Sequence, residues 1–246
     1  LIMADGLRGQ ARAGVKIGGE FYDEVKVAGD TRVYDAMLVL THLTGHGLSG
    51  VGGALKNLGM GLASRAGKLT QHSAMKPRVK KSVCIACGRC TEWCPTGAIR
   101  LADGARAAGV DSATCIGCGE CLAVCPVEAI GYDWNAQQAT FQEKMTEHAY
   151  GVVKGWEEKI VYVTFITAVT DECDCMPAYN STFFDDVGVV ASTDPIAIDQ
   201  AAIDLANRQF GKDFFGHIHP AVDCTKQLRH GEKLGMGSRE YMLTQI

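Results

Sequence analysis

CIACGRCTEWCPTGAI at residues 84–99 and CIGCGECLAVCPVEAI at residues 115–130 are two copies of one pattern, set 31 residues apart. They share nine of sixteen positions, including every cysteine, the proline after the fourth cysteine and the closing Ala-Ile. A C-x2-C-x2-C run delivers three thiolates from one short turn, so the fourth ligand of a cubane iron–sulfur cluster has to come from elsewhere in the chain.

In the bacterial C-x2-C-x2-C-x3-C-P arrangement the fourth cysteine serves the other cluster. This assigns Cys84, Cys87, Cys90 and Cys125 to one [4Fe-4S] cluster, and Cys115, Cys118, Cys121 and Cys94 to the second. Pro95 and Pro126 turn the chain away after the crossed ligand, and Gly88, Gly117 and Gly119 let backbone N–H groups approach the sulfurs. The insert resembles the two-cluster bacterial ferredoxins throughout 84–130. Zinc accounts for the pattern less well, because two separated C-x2-C pairs suffice for one ion and the third cysteine and the C-P ending stay unexplained. A disulfide framework fits less well still, since the first three cysteines of each copy lie too close in sequence to pair without strain.

The remaining composition is that of an ordinary soluble globular chain: 246 residues, 47% hydrophobic and 21% charged. The longest apolar run, Ile160 to Val169, is too short to span a membrane and reads as a buried strand. Eleven cysteines, eight of them in cluster motifs, predict a reducing, cytoplasmic setting. The net charge of −4 is unevenly spread, for Ala36 to Thr91 contains no acid and eight Lys or Arg. Such a block calls for an anionic neighbour, whether the clusters, a substrate or a partner surface.

Before the insert, short β-like runs at Leu1–Ala4, Val15–Gly18 and Glu24–Val27 precede the apolar run Ala36–Leu43, which predicts a strand buried on both faces. A glycine-rich loop, Thr44 to Gly53, then leads into a helix predicted over Ala54–Lys68. After the insert, the pattern predicts a long helix over Asp133–Glu158 and strands at Ile160–Thr170 and Val187–Ala191. A helix follows from a Thr193 or Asp194 cap with Pro195 at its first position to about Phe210, displaying Asp199 and Asp204, and a last one covers Thr225–Leu234. Strands alternating with helices make an α/β scaffold with a mixed or parallel sheet and flanking helices, carrying an inserted two-cluster ferredoxin-like domain. Its segments are 1–77 (scaffold), 78–131 (insert) and 132–246 (scaffold).

HLTGHGLSGVGGALKNLGMGLASRAGK, the double-cluster insert, VGVVASTDPIAIDQAAIDL and KLGMGSREY together resemble the uncharacterised-domain family number 362 in its ferredoxin-containing form. The resemblance covers nearly the whole chain and implies architecture without an agreed activity. It also implies further chain before Leu1, as does the opening Leu-Ile-Met-Ala-Asp-Gly, which reads as mid-strand.

Strand, glycine-rich loop and helix is an arrangement that cradles anions at a helix N-terminus. Gly45, Gly47, Gly50, Gly52, Gly53 and Lys56 are therefore candidates for binding a small anionic ligand. Gly45-x-Gly47-x-x-Gly50 also matches the dinucleotide fingerprint, but the acid expected about 20 positions on is missing. Cys173 and Cys175, after a predicted strand, are a candidate third metal site or redox pair, with His217, His219 and Cys224 as further ligands if the C-terminal chain folds back. His42 reads as a strand-end residue with a satisfied ring. Cysteine-ligated clusters are one-electron carriers, so the function expected is electron transfer to or from a redox protein partner. The alternative is an oxidoreductase acting on an anion held at loop 45–53. Neither nucleic acid nor a membrane span is expected.

Overall fold

The computed structural model describes residues 2–7, 9, 11–72, 77–115, 119–131, 138–156, 158–175 and 181–246. The chain divides into two compact units, one of Leu1–Ser64 with Gln138–Ile246 and one of Arg65–Gln137. The second unit extends beyond 78–131 on both sides.

In the larger unit, β1 (Arg12–Lys16) and β2 (Glu24–Ala28) form an antiparallel hairpin. β3 (Met37–His42) leads into a second, very short hairpin of β4 (Thr44–His46) and β5 (Gly50–Gly52). Then comes α1 (Ala54–Lys56), continued by one π-helical turn, Asn57–Gly61. The helix predicted over Ala54–Lys68 is thus broken. Gly59 lies directly against the backbone carbonyl of Met145, where a Cβ would collide, and Ala63 leaves the helix to bridge Val27.

The smaller unit follows, with α2 (Arg65–Gln71), β6 (Arg78–Val79), α3 (Arg89–Glu92), β7 (Ile99–Arg100), β8 (Gly109–Val110), α4 (Glu120–Ala123) and β9 (Ile130–Gly131). β6 pairs with β9, and β7 with β8. The two cysteine copies have matching backbones. Gly88 and Gly119 are both left-handed (φ 76° and 71°) just before α3 and α4, and Gly97 and Glu128 occupy equivalent left-handed positions at φ 62° and 50°.

The chain returns to the larger unit as α5 (Gln138–Val153), β10 (Ile160–Ile166), β11 (Gly188–Ser192), α6 (Pro195–Phe210), α7 (Phe214–Ile218) and α8 (Lys226–Lys233). The first residues of the helix predicted over Asp133–Glu158 lie outside the described residues. The fold is mixed α/β: β3 runs parallel to β10, with Met37 opposite Ile160, and β11 runs antiparallel on the other side, with Tyr162 opposite Ser192. α6 packs on β10 and β11. β3 is an edge strand and departs from the expected two-sided burial. Val39 and Thr41 point inward, while Leu38 and Leu40 are 61% and 57% exposed.

Leu43, Leu55, Leu58, Ile196, Phe214 and Phe215 are fully buried in the core, each contributing about 1.5–3 kcal/mol. α6 has the ends its sequence predicts: the Asp194 carboxylate accepts from the Ile196 and Ala197 amides, Pro195 opens the helix, and left-handed Gly211 closes it. Asp199, expected on display, is instead fully buried.

Candidate functional site

In the smaller unit, left-handed glycines start α3 and α4 so that each short helix carries its third cysteine, Cys90 or Cys121, into a small apolar cluster with Ile99 and Ile130. Cys84, Cys87 and Cys90 line one cavity together with Cys125 from the other copy. Val79, Ile85 and Ile130 supply apolar wall. Cys115 and Cys121 line a second cavity with Cys94. Cys118 lies outside the described residues. The fourth cysteine of each copy is held in the same way: the Ala98 amide donates to Cys94 Sγ and the Ala129 amide to Cys125 Sγ, both at 3.2 Å. Convergence of soft sulfur donors in an apolar, amide-lined pocket suits a buried anionic cluster.

In the larger unit, a cleft of about 320 Å³ opens where β3 ends and α1 begins. His42, Lys56, Asn57, Cys173, Asp174 and Cys175 line it. Asn57 donates to the Leu40 carbonyl and to Thr41 Oγ1, fixing the floor. His42 Nδ1 lies 2.8 Å from Asp174 Oδ2 and Nε2 lies 2.7 Å from the Thr167 carbonyl. Both nitrogens face acceptors, so the ring is fully satisfied as the cation. Burial by itself lowers the His42 pKa, but the hydrogen bonds to Asp174 and Thr167 outweigh it and raise the value. Burial lowers the pKa of Lys56, against the opposing pull of Asp174 and Glu172.

Cys173 and Cys175 are joined in a disulfide, Cys173 buried and Cys175 exposed. One ring nitrogen of His46 and both sulfurs lie within 4.8 Å of one another, a spacing that a metal ion can bridge. His46 Nδ1 also accepts the amide protons of Leu48 and Ser49, each at 3.1 Å.

Residues 1–204 match a protein family described as a domain of unknown function, DUF362. The chain belongs to that family. No curated protein matches it. The match covers the glycine-rich loop, the cysteine insert, the cleft and the start of α6.

In this DUF362 chain the glycine-rich loop divides its roles. Gly52, Gly53 and Lys56 reach the cleft, but four of the amides at the loop and the helix start are already committed. Gly45 N–H donates to the Thr170 carbonyl, Gly47 N–H to Glu172, and the Ala54 and Leu55 amides to the two oxygens of Asp199 at 2.6 and 2.9 Å. Asp199 itself fills the helix N-terminus. Gly45 and Gly50 serve packing: a Cβ on Gly45 would strike the Asp171 carbonyl, and one on Gly50 would lie 2.7 Å from Cys224 Cβ. His217, His219 and Cys224 do not join Cys173 and Cys175. His219 Nε2 is 2.7 Å from the Asp171 carbonyl, His217 faces Lys212, and Cys224 is buried against Gly50 with its thiol pushed up to about 12. The C-terminal chain folds back onto the core, and His46 takes the place beside the sulfurs. The sequence signal for Asp199 was its position three residues after Ile196 and four before Ile203, on the buried stripe of α6.

Proposed function

We propose that this protein transfers electrons through two [4Fe-4S] clusters held in the smaller unit. Cys84, Cys87, Cys90 and Cys125 hold one, and Cys115, Cys118, Cys121 and Cys94 the other. The observation that carries this reading is the cavity lined by three cysteines of one copy and the fourth of the other. When bound, such clusters supply one-electron transfer with no open coordination site. The protein's own part is to bring the sulfurs together and to donate hydrogen bonds to them. The amides of Ala98 and Ala129 donate to the crossed sulfurs, and Val79, Ile85 and Ile130 form apolar wall around the first cavity.

Anaerobic reconstitution should give about eight irons per chain, and zinc without iron sinks the reading. Paramagnetic resonance of the reduced protein tests the crossing. Cys125→Ser should alter the same spectral component as Cys84→Ser, and Cys94→Ser the same one as Cys115→Ser. Grouping of Cys125 with Cys115 refutes crossed ligation.

A second reading, a redox enzyme acting on an anionic ligand and fed by the clusters, is favoured by one observation: the cleft at β3 and α1 presents Lys56, a largely buried cation. Its anion contact is the Lys56 side chain instead of the loop amides. Calorimetric titration with small carboxylates and phosphate should show binding that weakens about tenfold in Lys56→Ala with iron content unchanged. Equal binding by both proteins removes this reading.

A further inference from the structure

We propose that Cys173 and Cys175 form a dithiol–disulfide pair that exchanges with a small-molecule thiol or disulfide entering the cleft. The two sulfurs are bonded to each other and line the cleft wall beside His42 and Lys56. Their exposure differs: Cys173 is 3% exposed, whereas Cys175 faces solvent. In exchange chemistry the attacking sulfur must be reachable by the substrate, and the resolving sulfur need reach only its neighbour. Cys175 is thus the attacking thiolate and Cys173 the resolving one.

The balanced sequence has two displacements. The Cys175 thiolate attacks one sulfur of a substrate disulfide RSSR, forming a mixed disulfide and releasing RS⁻, which takes up a proton. The Cys173 thiolate then attacks the Cys175 sulfur, releases the second RS⁻ and re-forms the Cys173–Cys175 bond. The dithiol loses two electrons and two protons, and RSSR gains them as two RSH. In the reverse direction, two equivalents of a small thiol reduce the pair. The electrons come from the thiol, so this inference stands apart from the cluster reading.

His46 favours exchange over metal binding. Its Nδ1 lone pair is engaged by the amides of Leu48 and Ser49, so the ring proton sits on Nε2. With Nδ1 so engaged, the ring beside the two sulfurs is a poorer metal ligand. Lys56 adds positive charge to the same cleft, which favours thiolate over thiol. Asp174, between the two cysteines, opposes this but is paired with His42 at 2.8 Å.

The test uses the cluster-loaded protein, equilibrated anaerobically in glutathione and glutathione disulfide mixtures of set ratio, then alkylated and mapped by mass spectrometry. Cys173 and Cys175 should pass reversibly between disulfide and dithiol, while buried Cys224 stays unmodified by glutathione. Cys173→Ser should accumulate one glutathione on Cys175, at least about tenfold faster than Cys175→Ser takes it up on Cys173. The wild-type titration stands even if a variant fails to fold. A pair that stays locked in the folded protein overturns the proposal. So does one that reacts no faster than a peptide spanning 169–175, or a reduced pair that retains zinc and no longer exchanges.

Discussion

Asp199 gives a sharp test of how the cleft is built, because its carboxylate replaces any external anion at the start of α1. Its two oxygens accept from Ala54 and Leu55 at 2.6 and 2.9 Å, and it is fully buried. Burial raises its pKa from 3.8 to about 6, with the two amides pulling the other way. Because the folded value lies above the unfolded one, the carboxyl's contribution to stability is complete below about pH 4 and lost as pH rises through about 6. The interval between 3.8 and about 6 corresponds to about 3 kcal/mol. Asp199→Asn keeps the shape and cannot titrate. The stability of the wild type relative to this variant should therefore fall by about 3 kcal/mol between pH 4 and pH 6.5 and stay level above that. Asp199→Ala leaves two buried N–H groups without an acceptor, a loss of about 1–3 kcal/mol for each. Hydrogen exchange of the α1 and α6 peptides across a urea series reads both effects locally. A difference between wild type and Asp199→Asn that is flat across this range, or that grows with pH, would refute the assignment of a buried carboxyl with a raised pKa.

Two other buried contacts yield predictions of the same kind. Gly59→Ala should destabilise the larger unit by about 1–3 kcal/mol, seen as a lower urea midpoint, because its Cβ meets the Met145 carbonyl with no room to retreat. Glu147, in α5, accepts the amides of Glu20, Phe21 and Tyr22 and lies 3.3 Å from His230 Nε2. Burial resists its ionisation, but the His230 contact and the three amides outweigh that and lower its pKa. Its contribution is thus present above the unfolded carboxylate value and lost as pH falls through the folded one. Glu147→Gln should cost about 1–3 kcal/mol at neutral pH, and the amides of residues 20–22 should exchange faster in the variant. Unchanged protection there would show that the β1–β2 loop is held by something else.

What was legible in the sequence is what short-range chemistry dictates. The cysteine spacing is local, so the ligand groups could be proposed from it; Cys84, Cys87, Cys90 and Cys125 line one cavity, and Cys94, Cys115 and Cys121 another. The ends of α6 were legible because Asp194, Pro195 and Gly211 act within a turn of their own position. The break after α1 was not, because it is imposed by Met145, far along the chain, on a stretch whose helical pattern is locally sound. β3 read as doubly buried because its run is apolar throughout. Burial of one face only belongs to the sheet and not to the strand, for central β10 alternates buried and exposed residues in the same way. The cleft joins His42 and Lys56 to Cys173–Cys175 by the parallel pairing of β3 with β10, a contact across the whole insert that no window of sequence contains.

The acid-free block takes on a narrower meaning once the units are separated. Residues 65–137 carry nine Lys or Arg and six Asp or Glu, while the rest of the chain carries fifteen and 22. Two thiolate-bound clusters would bring roughly two negative charges each to the smaller unit, turning its small positive excess into approximate neutrality. On the proposed reading the basic residues of the smaller unit would nearly balance the charge of two clusters, with little left over to attract a polyanion. Lys56 belongs to the same block of sequence but to the other unit. There it is buried in a cleft beside Asp174, where its charge acts over a few ångströms on whatever enters. One run of basic sequence is therefore divided between two units. On the proposed cluster reading, changing Arg78, Lys80 or Lys81 should alter the clusters, whereas changing Lys56 should alter the cleft.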